Sequence, residues 1–205
     1  MRPLLLQIDS ADPHYHGMIE DNRARCAAYA EKQGYVYFVV DAPTDDFRWF
    51  RIEAIAEALK TEAPYVFYLD ADTAIADFNA DMRDTVPEPT WLGLTVHPFP
   101  WGNNSEWHLN TGVIYVRNCD EAKQYFDDVL AAYKPGTYDQ MPMNDLLVGD
   151  NAKYHGVLNI LDRRWNDCLH QKGSKNPVVA AWHGHMKPEY RRFLMASWSA
   201  EHPYA

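Results

Sequence analysis

Residues 66–75 read VFYLDADTAI, a run of large apolar side chains that ends in two carboxylates two positions apart, Asp70 and Asp72. A strand buried on both faces reads as a continuous apolar run. Ligands of open α/β sheets gather beyond the carboxyl ends of such strands, which is where this pair is expected. Side chains two apart in an extended segment point to one side, so both carboxylates can converge on one cation. A divalent ion is the natural partner, since hard cations take carboxylate oxygens and share their remaining positions with substrate phosphates. The alternative for a lone Asp-x-Asp is a pair of turn caps, and the surrounding pattern has to decide.

Upstream, PLLLQID reads as a strand and residues 17–33 as a helix, with Gly34 placed to end it. YVYFVV reads as a second strand. FRWFRIEAIAEALK then puts Trp49, Ile52, Ile55, Ala56 and Leu59 on one helical face and Glu53, Glu57 and Lys60 away from it. With YVFYLD as the third strand the order is β-α-β-α-β, the pattern of a parallel sheet covered by helices. Further strands are predicted at WLGLTV, GVIYVR and PVVAAW. Between the last two, Ala122, Tyr125, Phe126, Val129, Leu130 and Tyr133 recur at helical spacing, with Asn118 as a candidate cap, Glu121 three on, and Pro135-Gly136 as the stop.

The chain has 205 residues, enough for one α/β domain without requiring a second, and no repeat or linker divides it. Its formal net charge of -10 argues against a general nucleic-acid binder, which presents a basic face. Cys26, Cys119 and Cys168 are odd in number and lack CxxC spacing, which suits a reducing compartment. The apolar opening is too short for a signal peptide or membrane span. A cytoplasmic protein without an integral membrane segment is expected.

Four motifs then fall in order: YLDADTAI, LNTGVIYVRN at 109–118, DQMPMNDLL at 139–147 and HGHMKP at 183–188. Together they resemble the GT-A fold of nucleotide-sugar glycosyltransferases, most of all glycosyltransferase family 34, the xyloglucan xylosyltransferases and yeast galactosyl- and mannosyltransferases, with echoes of family 8. The resemblance runs from about Asn22 to Lys187. It implies a single Rossmann-like α/β domain over residues 1–205, with a mostly parallel sheet flanked by helices. The nucleotide-binding half would lie at about 1–75 and the acceptor side at about 76–205.

By the same resemblance, Asp70 contacts donor and metal, Asp72 is a metal ligand and His183 is the C-terminal metal-binding histidine. The Gly184 that follows directly departs from the family spacing and leaves His185 as a rival. Two carboxylates, an imidazole and diphosphate oxygens suit Mn²⁺ better than Mg²⁺, which prefers oxygen alone. Lys187 matches the lysine that reaches the diphosphate, and Arg51 lies where the family has Trp-x-Lys; otherwise Arg51 is a boundary arginine with its head in water. Asp139 and Gln140 match the Asp-Gln pair near the donor sugar and are the candidate catalytic residues. The resemblance implies retention of anomeric configuration, either through a covalent intermediate or by same-face attack.

Asn110, Thr111 and Gly112 are placed to meet sugar hydroxyls before a strand, or form a plain turn there. Asp9, ending the first strand, either meets the nucleotide or caps the next loop. HPFPWGNNSEWH at 97–108 has the composition of an acceptor lid, or of a packed aromatic loop. His14 and His16 read as ordinary histidines. The expected function is transfer of a hexosyl or pentosyl group, from a UDP-sugar by preference, to a carbohydrate or lipid-linked glycan acceptor in a bacterial or viral cytoplasm. The alternative is an inactive glycan-binding scaffold. A dehalogenase-type phosphatase would carry its Asp-x-Asp on the first strand, and a nucleotidyltransferase would carry a Gly-rich basic loop after it; neither pattern is present.

Overall fold

The computed structural model describes residues 1–10, 18–42, 47–98, 107–149, 152–169, 173–183 and 186–204. The expected alternation opens the chain: β1 (Leu4–Asp9), α1 (Glu20–Gln33), β2 (Val36–Asp41), α2 (Phe47–Leu59) and β3 (Tyr65–Leu69). β1 pairs in parallel with both β2 and β3. The sheet extends through β6 (Trp107–Arg117), β5 (Leu92–Pro98) and β7 (Leu158–Ile160), giving the order β2-β1-β3-β6-β5-β7. β6 runs antiparallel to β3 and β5, and β7 is parallel to β5, so three of five pairings are parallel. A second sheet joins β4 (Thr73–Ile75), β9 (Val179–Ala181) and β8 (Asp167–Cys168) in the order β4-β9-β8.

The two-residue period of strands divides the core. Leu6 and Ile8 of β1 and Val66 and Tyr68 of β3 pack on one side with α2. Leu5, Phe67 and Leu69 pack on the other with Cys26 and Tyr29 of α1. Trp49, Ile52, Ile55, Ala56 and Leu59 are all buried, as their spacing predicts, and Glu53, Glu57 and Lys60 are exposed. Each such buried aliphatic side chain contributes about 1.5–3 kcal/mol. α1 ends at Gly34, whose φ of 75° is left-handed and whose N–H bonds back to Ala30 and Glu31.

The second half departs from its sequence reading in several places. α3 (Asp120–Ala131) buries Ala122, Tyr125, Phe126 and Val129, but Cys119 holds its N-cap position. Asn118 does not cap it: its Nδ2 donates to Thr61 O at 3.0 Å and Ala63 O at 2.9 Å, binding the turn before β3 to the end of β6. Glu121 accepts from Trp91 Nε1 at 2.9 Å rather than closing a capping box. Tyr133 lies beyond the helix, exposed, with its ring 5.0 Å from that of Trp49. Asn110, Thr111 and Gly112 lie inside β6 rather than ahead of it. The β5–β6 register shifts between Gly93 and Thr95, so this triplet occupies an irregularity of a longer strand.

Two helices carried no sequence signal that was read as helical. α4 spans Gln140–Leu147, and α5 spans Pro188–Glu201 with Pro188 in its first turn. Met195 of α5 packs with Met18, Ala74, Ala180 and Trp182, which seats the helix on the small sheet. Cys26, Cys119 and Cys168 are not joined to one another by disulfides.

Candidate active site

Asp70 follows β3 directly, and the turn it starts is closed by backbone and threonine. Its carbonyl accepts from Thr73 N at 3.2 Å and Thr73 Oγ1 at 2.7 Å. The aspartate side chains therefore do not cap this turn. Asp70 and Asp72 reach the same cavity because the chain bends here, not through alternation along an extended segment. That cavity, of about 200 Å³, is lined by Ile8, Ser10, Arg48, Arg51, Asp70, Asp72, His183 and Arg191 among others.

Arg51 is the hub. It comes from the first half of α2 and is buried, head included, rather than lying in water. Its Nε donates to Asp139 Oδ2 at 2.6 Å and its Nη2 to Asp139 Oδ1 at 2.8 Å, a two-pronged pair. Nη1 donates to Asp70 Oδ1 at 2.9 Å and to Thr111 O at 3.2 Å, and Nη2 also to Thr111 Oγ1 at 2.7 Å. Burial works against the Arg51 charge, but Asp139 and Asp70 outweigh it and hold the guanidinium more firmly protonated than a free arginine. Asp139 stands at the N-cap position of α4 yet makes no side-chain cap bond, because both its oxygens serve Arg51. Gln140 follows on α4 and its Oε1 lies 3.4 Å from Thr111 Oγ1. One arginine thus joins α2, the end of β3, β6 and the start of α4.

Asp70 Oδ1 also accepts from Tyr68 Oη at 2.8 Å. Burial pushes the Asp70 carboxyl up to about 6, with Arg51 opposing and the Asp72 charge adding. Burial moves Asp72 in the same direction against the pull of Arg191. Arg191 Nη1 donates to Asp72 Oδ2 at 2.8 Å, while Asp72 Oδ1 is buried with no hydrogen-bond partner among the described residues. Trp182 N donates to Asp72 O at 3.0 Å and fixes the backbone.

Asn110 Oδ1 accepts from Gly112 N at 2.8 Å and Asn166 Nδ2 at 2.6 Å. A Cβ at Gly112 would lie 3.0 Å from Asp70 Oδ2 and 3.1 Å from Asn110 Oδ1, so glycine is what admits the Asp70 carboxylate here. Asp70 N donates to Gly112 O at 2.8 Å, tying β3 to β6 at this point. Asp9 is buried at the end of β1, between the cavity-lining Ile8 and Ser10. His183 lines the cavity and its ring lies 5.0 Å from that of His97. Lys187 is exposed at the N-cap of α5 and does not line the cavity; Arg191, one turn further, does. His185 and Gly184, His14 and His16, and residues 99–106 of the expected acceptor lid lie outside the described residues.

Arg48, Tyr68, Asn166 and Arg191 join this site without having been singled out in the sequence. Arg48 was within reach, since it is three residues before Arg51 on a predicted helix. Arg191 was not, because its partner is 119 residues away.

A divalent cation fits the donor set at the aspartates: two carboxylates share one cavity, and Asp72 Oδ1 is buried with no donor to satisfy it. Among the described residues no three His, Cys, Asp or Glu side chains form a metal-holding group by themselves. Ligands beyond the aspartates would come from a substrate, from water or from a side-chain rearrangement.

No family model matches this sequence, and no curated protein matches it. Solved structures do. A glycosyltransferase involved in glycosylation of the major capsid of PBCV-1 superposes with a TM-score of 0.70 at 15% identity, covering 95% of this chain and 100% of that one. The galactosyltransferase LgtC, solved with donor and acceptor sugar analogues, gives 0.58 at 13% identity, covering 98% and 97%. GlyE of Streptococcus pneumoniae TIGR4 gives 0.58 at 13% identity, covering 98% of this chain and 64% of that one. At these identities the likeness concerns the fold, and the fold of this chain is the GT-A type that these glycosyltransferases share.

Proposed function

We propose that this protein is a glycosyltransferase that moves a sugar from a nucleoside diphosphate sugar, a UDP-sugar by preference, to a hydroxyl of a glycan or lipid-linked glycan acceptor. The observation that carries this reading is the Arg51 hub. It ties the buried Asp139 and Thr111 to Asp70, which lines one cavity at the carboxyl end of β3 together with Arg51 and the buried Asp72. The shared fold raises the expectation, but a fold hosts many chemistries and the argument rests on the site.

Asp70 and Asp72, with His183 by family resemblance, would hold Mn²⁺, or Mg²⁺ in its place. When bound, such a cation neutralises charge that develops on the leaving diphosphate. The side chains of the protein add to this. Arg48, Arg51 and Arg191 line the same cavity, so an acidic protein presents local cations to an anionic donor. Gln140, next to Asp139 and half-buried, supplies an amide suited to sugar hydroxyls, while the buried Thr111 hydroxyl serves Arg51. Asp139 is buried and gives both oxygens to Arg51, which lowers its nucleophilicity. That arrangement favours same-face attack with retention over a covalent Asp139 intermediate.

Calorimetric titration with UDP, GDP, CDP and dTDP, each with and without Mn²⁺, tests the reading. Binding of one nucleotide only with metal, lost in Asp72→Asn, is the expected result. No binding of any nucleotide would leave a GT-A scaffold without a donor site.

A further inference from the structure

Both carboxylates of the Asp-x-Asp pair are already matched by a guanidinium in the free protein. At Asp70 the arginine comes from the hub on α2. At Asp72 it comes from α5, more than a hundred residues later in the chain, through Arg191 Nη1 to Asp72 Oδ2 at 2.8 Å. This second pair is buried on both sides, with side chains 10% and 9% exposed. It uses one oxygen of Asp72 and leaves the other, Oδ1, without a donor among the described residues. A purely structural ion pair is expected to satisfy a buried carboxylate more completely.

We infer that Arg191 is an internal stand-in for the divalent cation: it neutralises Asp72 in the free protein, and a metal ion must displace it to load the site. The inference rests on the donor-site reading above and assigns it a loading control. The charges in the cavity support it. Among the described residues that line the cavity, Asp70 and Asp72 are each already paired with an arginine, Arg51 and Arg191. A bare divalent ion would add two positive charges to carboxylates that are buried and already neutralised, which is unfavourable. A cation arriving with a nucleoside diphosphate sugar, whose diphosphate carries about two negative charges, brings its own counter-charge. Arg191 lines the cavity in the free protein, so a displaced guanidinium would stay within reach of the anion.

The exchange needs no movement of the helix. Met195 is fully buried, the Trp198 ring lies 5.5 Å from that of Trp182, and Trp182 N holds the Asp72 carbonyl. A guanidinium swing suffices.

Mn²⁺ binding without nucleotide, read from loss of the free-ion paramagnetic resonance signal, tests the inference. Arg191→Gln is expected to bind Mn²⁺ at least ten-fold more tightly than the wild type, and Asp72→Asn in that background to remove the gain. Equal or weaker affinity in Arg191→Gln overturns the inference. If Arg191→Gln does not fold, Arg191→Lys, which keeps the charge in a poorer geometry for a carboxylate, is expected to show a several-fold gain; no gain there overturns it equally. A wild type that binds no nucleotide with Mn²⁺, beside an Arg191 variant that gains Mn²⁺ affinity, would remove the donor reading and leave the stand-in role. Mn²⁺-dependent nucleotide binding with no Arg191 effect would do the reverse.

Discussion

His97 is 2% exposed, faces His108 across the β5–β6 pair and lies against the ring of His183. Burial, with positive charge on His183, Arg163 and His108, lowers its pKa to about 3, against a bond to the Asn166 backbone that favours the charged form. The folded protein therefore holds His97 neutral where the unfolded chain, with a pKa near 6.5, takes up a proton. Stability from this group is complete above about pH 6.5 and is lost as pH falls toward 3, at up to about 1.4 kcal/mol per pH unit. Urea unfolding at pH 7 and pH 5 should show a loss on acidification that is about 1–2 kcal/mol smaller in His97→Gln than in the wild type. Equal losses would mean that His97 takes up its proton in the folded state as readily as in the unfolded chain. At this scale residue type was readable and partnership was not. The carboxylates of Asp70 and Asp72 announce a cation, but His97 is buried against His183, a contact between distant parts of the chain that no local pattern encodes. Arg51 could be read as a phosphate contact or a surface arginine, and only the fold brings Asp139, 88 residues away, against it.

Among the elements, those with a long apolar pattern were legible and most of those with a short one were not. α2 and α3 present whole apolar stripes, and β1 to β3 are apolar runs bounded by helices. β4 and β8 have three and two residues, too few to show alternation, whereas the equally short β9 was legible inside the apolar run PVVAAW. α4 carries Pro142, which reads as a break although in a first helical turn it displaces no intrahelical bond. α5 mixes charged, aromatic and small residues without a clear apolar stripe and hides its seat on the small sheet. Asn118 illustrates a local signal overridden by a distant one. It has the residue type of a cap, but two carbonyls of the turn joining α2 to β3 take its amide. Replacing Asn118 by Ala should cost about 1–2 kcal/mol in chemical denaturation, since two hydrogen bonds at a partly wet turn are lost. Nucleotide binding should be unchanged, because the turn lies at the opposite end of β3 from Asp70. A loss of binding without loss of stability would place Asn118 in the functional machinery.

Across the whole molecule, a net charge of -10 coexists with a cavity in which arginines meet Asp70 and Asp72, so bulk charge does not set the charge of the site. Among the described residues no helix is long and apolar enough to cross a membrane. A sequence only 13–15% identical to the solved glycosyltransferases keeps their fold because the period-2 and period-3.6 stripes, not particular residues, set the layers. The site depends instead on contacts that converge from α2, the β3–β4 turn, β6, α4 and α5, which makes ligand binding a whole-molecule property. Occupation by Mn²⁺ and the preferred nucleoside diphosphate, each a hundred-fold above its dissociation constant, should then stabilise the fold by about 2.7 kcal/mol or more. For a chain of this length that corresponds to a melting temperature higher by about 5–10 °C. Because the ion pairs involved are buried, the shift should change little between 50 and 300 mM salt, concentrations at which surface attraction to a polyanion is strongly screened. A shift that collapsed with salt would place the nucleotide on the surface, away from Asp70 and Asp72. An equal shift in Asp72→Asn would separate nucleotide binding from the aspartate pair altogether.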